Sequence, residues 1–412
     1  MLDDLSIATR RRAPRVGALR PSLLFYCQHS LGIGHLTRSF ALATALSEFF
    51  HVVFLNGGRL PPGLPVPEAV ELIDLPPLGM DDGHTVVSRD AKHDVVEAQA
   101  LRRALIEAAV KRHKPAVLLV ELFPFGRKKF ACEILPLIRL ARSRANGAAI
   151  IACSLRDILV DVRPDQQHHD DRACWLTNRY FDTVLVHADA SLARLEDSFR
   201  PRKPLQVPVH YTGYVVPARN VDEKLARRGK HLLVSAGGGM VGDDLFRAAL
   251  QAHALLKEKL PMRIIAGPFL PEAQWQNLLK MADGMFGVEV LRHVPDMVRE
   301  MRRARASISQ CGYNTALDIL VAQVPALVAP YATSTENEQG ERAARLAALG
   351  ALRQFSAPAL DPVHLADEIE ALLTFKPRQA ALNLDGAVLS AQLLHLLCER
   401  AAFAASCGRR HG

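Results

Sequence analysis

Leu23-Leu24-Phe25-Tyr26-Cys27 is a short apolar run, followed by a turn that carries Gly32-Ile33-Gly34 and then by Leu36, Phe40, Ala43 and Leu46. Those four residues keep the i, i+4, i+7, i+10 spacing of one buried helix face, and Val52-Val53-Phe54-Leu55 closes the unit as a second buried strand. Strand, helix, strand is the repeat of a parallel sheet covered by helices. Working outward, further buried strands are expected at 70–73, 116–120, 149–153 and 183–186, with long helices over 94–113 and 128–144. The strand-like 209–212 ends this series, and a polar stretch rich in Arg, Lys, Asp and Glu follows Gly213. A second series of strands begins at 231–235 and continues at 262–266, 288–291, 306–309 and 326–329, each followed by a helical segment. A last helix near 388–400 has no strand after it and is placed to pack back across the domain boundary.

The expected fold class is therefore α/β, with two doubly wound Rossmann-like domains facing each other across a cleft. The boundaries read as a basic, disordered arm at 1–20, a first domain at 21–213, a linker at 214–230, a second domain at 231–380, and a terminal helix and tail at 381–412. Open α/β sheets bind ligands outside the carboxyl ends of their strands, so the cleft is the expected site.

A chain of 412 residues exceeds one typical domain, and its balance of 49% apolar to 23% charged residues excludes disorder. Fifty-one Lys and Arg against forty-three Asp and Glu leave +8, compatible with anionic substrates, lipid headgroups or nucleic acid. Seven cysteines without a CxxC pair indicate neither a zinc site nor a closed disulfide framework, and a reducing cytoplasm is the expected compartment. Arg10, Arg11, Arg12, Arg15 and Arg20 are followed by no apolar run of signal-peptide length, and no later stretch reads as a membrane span.

Three constellations carry chemistry. The first, Gly32-Ile33-Gly34-His35-Leu36-Thr37-Arg38, opens the first helix. Its glycines let backbone N–H groups approach a ligand, His35 stands where it can take a proton from an attacking hydroxyl, and Arg38 can face an anionic group or pair with a surface carboxylate. The second is Ser235-Ala236-Gly237-Gly238-Gly239 at the matching place in the second domain, a nest of donors suited to a diphosphate. It is neither a Walker A sequence nor a full dinucleotide fingerprint, which disfavours NTP hydrolysis and hydride transfer.

The third runs Ser309-Gln310-Cys311-Gly312-Tyr313-Asn314-Thr315-Ala316-Leu317-Asp318, then Val324-Pro325-Ala326-Leu327-Val328-Ala329-Pro330, then Glu336-Asn337-Glu338-Gln339. Gly312 turns the chain, Asn314 and Thr315 at a helix head can bond phosphate oxygens or merely cap, Asp318 can accept from ribose hydroxyls or be solvated, and Gln339 can bond sugar hydroxyls.

This stretch resembles the donor-site signature of the family 28 glycosyltransferases, the group that includes the lipid-intermediate N-acetylglucosaminyltransferase of peptidoglycan synthesis. The resemblance is strongest over 305–345 and extends in outline to both domains. It implies a GT-B fold, an inverting transfer from a UDP-sugar (a UDP-N-acetylhexosamine foremost) and no cofactor or required metal. By position, His35 takes the base or acceptor-site role, with Gly32, Gly34 and Arg38 on the acceptor side. Gly237, Gly238, Gly239, Gly312, Asn314 and Thr315 meet the diphosphate, Asp318 the ribose, Glu338 and Gln339 the donor sugar, and Val294 in Val294-Pro295-Asp296 the nucleobase. The chain departs from the pattern at Asp318, Cys311 and Glu338, where the family more often has Glu, Ser and Gln.

Arg156 follows a first-domain strand and is read either as reaching the diphosphate across the cleft or as pairing locally with Asp157. His168-His169-Asp170-Asp171 has metal-binding residue types, but neighbours on one helix diverge, so no metal is expected there. Asp81-Asp82-Gly83-His84 reads as a first-domain loop near an acceptor, or as an ordinary turn. The partners expected are a UDP-sugar donor and a glycan or lipid-linked acceptor, the latter compatible with peripheral association at the inner face of the membrane. A nucleotide-sugar hydrolase or epimerase of the same fold is the alternative. A noncatalytic RNA- or membrane-binding protein ranks last, because only 6% of residues are aromatic and none interleave with basic runs; no nucleic-acid partner is expected.

Overall fold

The structure is a computed structural model that describes residues 20–29, 34–61, 64–81, 85–146, 148–217, 229–333, 337–355 and 360–408. The first half is built from β1 (Ser22–Cys27), α1 (Gly34–Leu46), β2 (His51–Asn56), β3 (Val70–Asp74), β4 (Leu78–Met80), β5 (Val86–Ser88), α2 (Val95–His113) and β6 (Val117–Glu121). It continues with α3 (Ala131–Ala141), β7 (Ile150–Arg156), α4 (Gln166–Tyr180), β8 (Thr183–His187), α5 (Leu195–Ser198) and β9 (Val209–Tyr211). The second half comprises β10 (Leu232–Ser235), α6 (Asp243–Leu255), β11 (Met262–Ile265), α7 (Glu272–Ala282), β12 (Val288–Leu291), α8 (Met297–Arg303) and β13 (Ala306–Ser309). It ends with α9 (Tyr313–Ala322), β14 (Ala326–Val328), α10 (Glu338–Ala348), β15 (Arg353–Gln354), α11 (Pro362–Leu372) and α12 (Gly386–Gly408).

Both sheets are parallel and doubly wound. The first runs β3-β2-β1-β6-β7-β8-β9 and the second β12-β11-β10-β13-β14-β15, so in each the strand order reverses beside the first strand of the domain. A crevice opens at that reversal, between β1 and β6 in one domain and between β10 and β13 in the other. The central strands are buried on both faces, which explains why they read as unbroken apolar runs. β4 and β5 form a separate antiparallel pair that the sequence reading did not separate from its loop, and the two-residue β15 was also not foreseen.

The strands differ from expectation chiefly at their carboxyl ends. β6 continues to Glu121, β7 to Arg156 and β8 to His187, because cross-strand pairs Glu121↔Ser154 and Arg156↔His187 extend the ladder past the last apolar residue. Those added residues are polar and point toward the cleft end of the sheet. The helix expected over 94–113 starts at a capping box, in which Glu97 N–H donates to Asp94 Oδ1 at 2.9 Å and Asp94 N–H donates to Glu97 Oε2 at 3.2 Å. The helix expected over 128–144 is shorter, with a 3₁₀ turn at Lys128–Phe130 ahead of α3.

Residues 214–217 and the segment before α12 clasp each other. Tyr214 N–H donates to Asn383 O at 2.8 Å and Gly386 N–H to Tyr214 O at 3.0 Å. A Cβ on Gly386 would lie 2.1 Å from Gly213 O, so the two chain segments cross there only because position 386 is glycine. α12 then lies on α1, with Ala387, Ala391 and Leu394 in the same apolar cluster as Leu36, Phe40 and Leu46 of the first domain. One expectation is corrected here. Gly386–Cys407 spans 22 residues at mean hydropathy 1.2 and is long and apolar enough to cross a membrane by length and composition. Ser390, Gln392, His395, Glu399 and Arg400 break its apolar run in the sequence.

Candidate functional site

The two crevices meet in the cleft. In the first domain, β1 and β6 pair in register through Tyr26↔Val120, which brings the helix that follows β1 over the end of β6. His35, in the first turn of α1, places Nδ1 2.6 Å from Oε1 of Glu121, the last residue of β6. Arg38, one turn on, donates Nη2–H to the same oxygen at 2.6 Å, and Arg127 Nε lies 3.8 Å from Glu121 Oε2. Glu121 is fully buried, whereas the His35 side chain retains 18% exposure.

Burial alone would raise the Glu121 carboxyl, but His35, Arg127 and Arg38 more than offset it and hold the group well below the usual carboxylate range. Burial pushes His35 down to about 4 against the opposing pull of Glu121, so the imidazole is neutral near pH 7. With an ionised carboxylate at Nδ1, that nitrogen carries the proton and Nε2 keeps its lone pair. A neutral histidine oriented by a buried carboxylate is the arrangement that accepts a proton from a hydroxyl and then stabilises the resulting imidazolium.

In the second domain, β10 and β13 pair through Ser235↔Ser309, so the turns that follow them are neighbours. Gly237 and Gly239 have φ of +55° and +91°. A Cβ on Gly239 would lie 2.2 Å from Ala266 O, whereas one on Gly237 would meet only Thr315 Oγ1, at 3.7 Å. Gly239 therefore makes the turn possible, and Gly237 leaves its surface open beside Thr315. Gly312 caps α9 in extended conformation with no neighbour within 4 Å of its Cβ direction. The N-terminus of α9 and the glycine turn thus lie side by side, a pairing of backbone donors that an anion favours.

The two domains touch through this same region. Asn314 Nδ2–H donates across the cleft to Gly34 O at 3.1 Å, joining the N-termini of α9 and α1. Tyr313 inserts into the first domain, donating Oη–H to His187 O at 3.0 Å and accepting from Val215 N–H at 3.1 Å, with Arg38 and Arg342 over its ring at 5.3 and 5.8 Å. Arg342 of α10 forms a bidentate pair with Asp157 at 2.7 and 2.8 Å, both buried, and donates Nη1–H to Cys311 O at 2.9 Å.

A profile of the glycosyltransferase family 28 C-terminal domain matches residues 232–392. The second domain is related to the family 28 C-terminal domain, and the chain as a whole has the GT-B fold. Among its relatives is the UDP-N-acetylglucosamine--N-acetylmuramyl-(pentapeptide) pyrophosphoryl-undecaprenol N-acetylglucosamine transferase of Rhizobium johnstonii, 28% identical over 162 residues, 39% of this chain and 42% of that protein. The similarity thus spans about two fifths of the curated relative's length. In fold, the chain resembles the calicheamicin glycosyltransferase CalG4 (TM-score 0.55, 17% identity, 94% of this chain and 98% of that one) and Acinetobacter baumannii MurG (TM-score 0.53, 16% identity, 91% and 99%).

Within this family 28 domain, the expected donor residues come together unevenly. Gly237 lies beside Thr315 in the first turn of α9, which Gly312 caps, while Gly238 O accepts from Phe269 N–H at 2.9 Å. Asn314 is engaged on Gly34 O, and Val294 sits just ahead of α8, whose first turn is capped by Asp296 accepting from Arg299 N–H at 3.0 Å. Gln339 Oε1 accepts from Cys311 N–H at 3.0 Å and Tyr331 N–H at 3.3 Å, so it braces the turn ahead of α9. Asp318 lies half-buried one turn into α9. Arg156 reaches across the cleft, where its Nη1–H meets Glu338 Oε1 at 2.8 Å. Asp157, the alternative partner weighed for Arg156, is taken by Arg342.

Arg38 departs from both readings of it: the carboxylate it meets is the buried Glu121, and it holds that residue and the Tyr313 ring. Gly32 lies outside the described residues, as do Asp82, Gly83 and His84; Asp81 accepts from Thr85 N–H at 2.6 Å. The carboxylates of Asp170 and Asp171 hold the 200–202 segment, accepting from Arg200 N–H at 2.9 Å and Arg202 N–H at 2.7 Å.

Sequence reading missed Glu121, Asp157, Arg342 and Tyr313 as parts of the site. Glu121 carried a usable signal, an acid closing a fully apolar strand. Tyr313 and Arg342 carried none, since both occur at helix positions where a solvated side chain is ordinary.

Proposed function

We propose that the protein is an inverting glycosyltransferase that moves a sugar from a UDP-sugar, a UDP-N-acetylhexosamine by its family 28 relatives, to a hydroxyl of a glycan or lipid-linked acceptor. The His35–Glu121 pair facing the α9 N-terminus carries this reading. His35 Nε2 removes the acceptor proton as the acceptor oxygen attacks the anomeric carbon, the bond from that carbon to the diphosphate oxygen breaks, and UDP departs with the electron pair. Glu121 is a positioning residue that fixes the imidazole and offsets its charge once protonated. The charge growing on the diphosphate is met by the α9 N-terminus, the Gly237 and Gly238 amides and Thr315. Asp318 binds the ribose, Val294 lies against the base, and Gln339 and Glu338, the latter held by Arg156, meet the sugar.

No step of this scheme needs a metal. The acceptor side consists of the first turns of α1, beginning at Gly34, in a cytoplasmic enzyme. The exposed apolar residues of α12, among them Val388, Leu396 and Phe403, support apposition to the membrane that would carry a lipid-linked acceptor. Calorimetric titration with UDP, GDP and UDP-sugars tests the donor site: UDP should bind selectively, and Asp318→Ala should weaken it by about tenfold, the value of one lost charge-assisted hydrogen bond. No nucleotide binding would overturn the reading, and UDP release at full rate without any acceptor would make water the acceptor.

A further inference from the structure

A second cluster of chemistry-bearing side chains lies at the opposite end of the first sheet, at the amino ends of its strands. His51 opens β2, Glu71 is the second residue of β3, and His113 is the last residue of α2. Glu71 pairs in register with Val53, so by the alternation of a strand it shares a face with His51, and α2 covers that face with its C-terminus. His51 Nε2 lies 3.2 Å from Glu71 Oε2, and His113 Nε2 lies 3.5 Å from Glu71 Oε1. One ligand atom from each residue falls within 4.8 Å of the others.

His113 makes this more than a surface ion pair. Its side chain is only 7% exposed, and its buried Nε2, aimed at Glu71, makes no hydrogen bond. A buried ring nitrogen without a partner is costly, and an ion at the cluster would satisfy it. Each histidine approaches Glu71 at the spacing of zinc ligands, which at about 2.0–2.1 Å from a tetrahedral ion stand roughly 3.3 Å from one another. His51 is 47% exposed, which leaves the remaining coordination position open to water.

We propose that His51, Glu71 and His113 form a binding site for a zinc-like divalent transition cation that clips the end of α2 to β2 and β3. Two imidazoles and a single carboxylate select zinc, cobalt or nickel over magnesium and calcium, which take oxygen donors. Arg112 Nη1, 3.9 Å from Glu71 Oε1 and 75% exposed, is the cation already nearest the carboxylate, and it opposes the metal without filling its place. The site is independent of the transfer reaction, being at the far end of the strands from Glu121.

The test is calorimetric titration of the metal-stripped full chain with ZnCl2 and with MgCl2, alongside thermal unfolding with and without zinc. One zinc per chain should bind with micromolar or tighter Kd and raise Tm, with no response to magnesium. Glu71→Gln and His51→Ala, both at partly exposed positions, should each weaken zinc by at least about tenfold and abolish the Tm shift while leaving the far-ultraviolet circular dichroism unchanged. Arg112→Ala should tighten binding. Absence of saturable binding overturns the proposal, and so does zinc affinity unchanged in both Glu71→Gln and His51→Ala, which would place the metal on other histidines or cysteines.

Discussion

The two strand-order reversals have the same backbone plan and opposite chemistry. Beside β1 and β6 the crevice is lined by a buried carboxylate, two arginines and a histidine; beside β10 and β13 it is lined by glycine amides and small side chains around Thr315. In the proposed reaction the first concentrates charge where a proton is moved, and the second offers an anion glycine amides, a helix N-terminus and Thr315. A shared fold therefore places both sites, and residue type alone divides the labour between them.

The sharpest way to break this comparison is at the charged crevice. His35→Ala should lower turnover by about 10²–10⁴-fold with donor affinity intact, since that is the range general-base catalysis supplies. Glu121→Gln should lower turnover less and shift the pH profile, because the carboxylate raises the His35 pKa and its loss moves the acid limb further down. In the wild type that limb should fall near pH 4, below the value of an ordinary histidine, because His35 stays neutral until about 4. A fully active His35→Ala enzyme would remove the base assignment, and a pH profile unchanged by Glu121→Gln would reduce Glu121 to a packing role.

Next in size is the latch that holds the crevices together. Asp157→Asn leaves the buried Arg342 guanidinium without its counter-charge and should cost about 3–5 kcal/mol in chemical denaturation, as breaking a buried pair does. Burial would raise the Asp157 carboxyl, but Arg342 more than offsets this and holds it below its ordinary value. This contribution is therefore present above the unfolded carboxylate pKa and lost as pH falls through the folded one. His187, held down to about 3 by burial, adds to the acid sensitivity, because unfolded chains take up protons below about 6.5 that the folded site refuses.

The smallest effects should separate two glycines in the neutral crevice. Gly239→Ala, with φ of +91° and Ala266 O in the way, should destabilise the second domain by about 1–3 kcal/mol. Gly237→Ala has space for its methyl and should cost stability by only about 1 kcal/mol while weakening UDP. If both variants bound UDP as tightly as wild type, the glycine turn would be structural alone.

Legibility followed the same division. The neutral crevice was readable, because glycines after an apolar strand and a Gly-x-Asn-Thr helix start are local patterns. The charged crevice was half readable: His35 stood in a recognisable turn, but its partner Glu121 lay 86 residues further on at a strand end that apolar periodicity cut short. The truncation at Glu121, Arg156 and His187 has one cause: the polar residues that serve the cleft occupy the strand ends, where a hydrophobicity pattern stops.

The amino-acid sequence by itself determined two runs of βα units, the glycine turn after the first strand of the second domain and the chemical types available to the cleft, since periodicity and turn chemistry are set by neighbours in the chain. Only the tertiary structure decided that Glu121 meets His35, that Arg342 reaches Asp157 across 185 residues, and that His51, Glu71 and His113 converge. Those meetings depend on strand order and on how two separately folded sheets dock, and nothing in a local pattern encodes which distant strand will lie alongside.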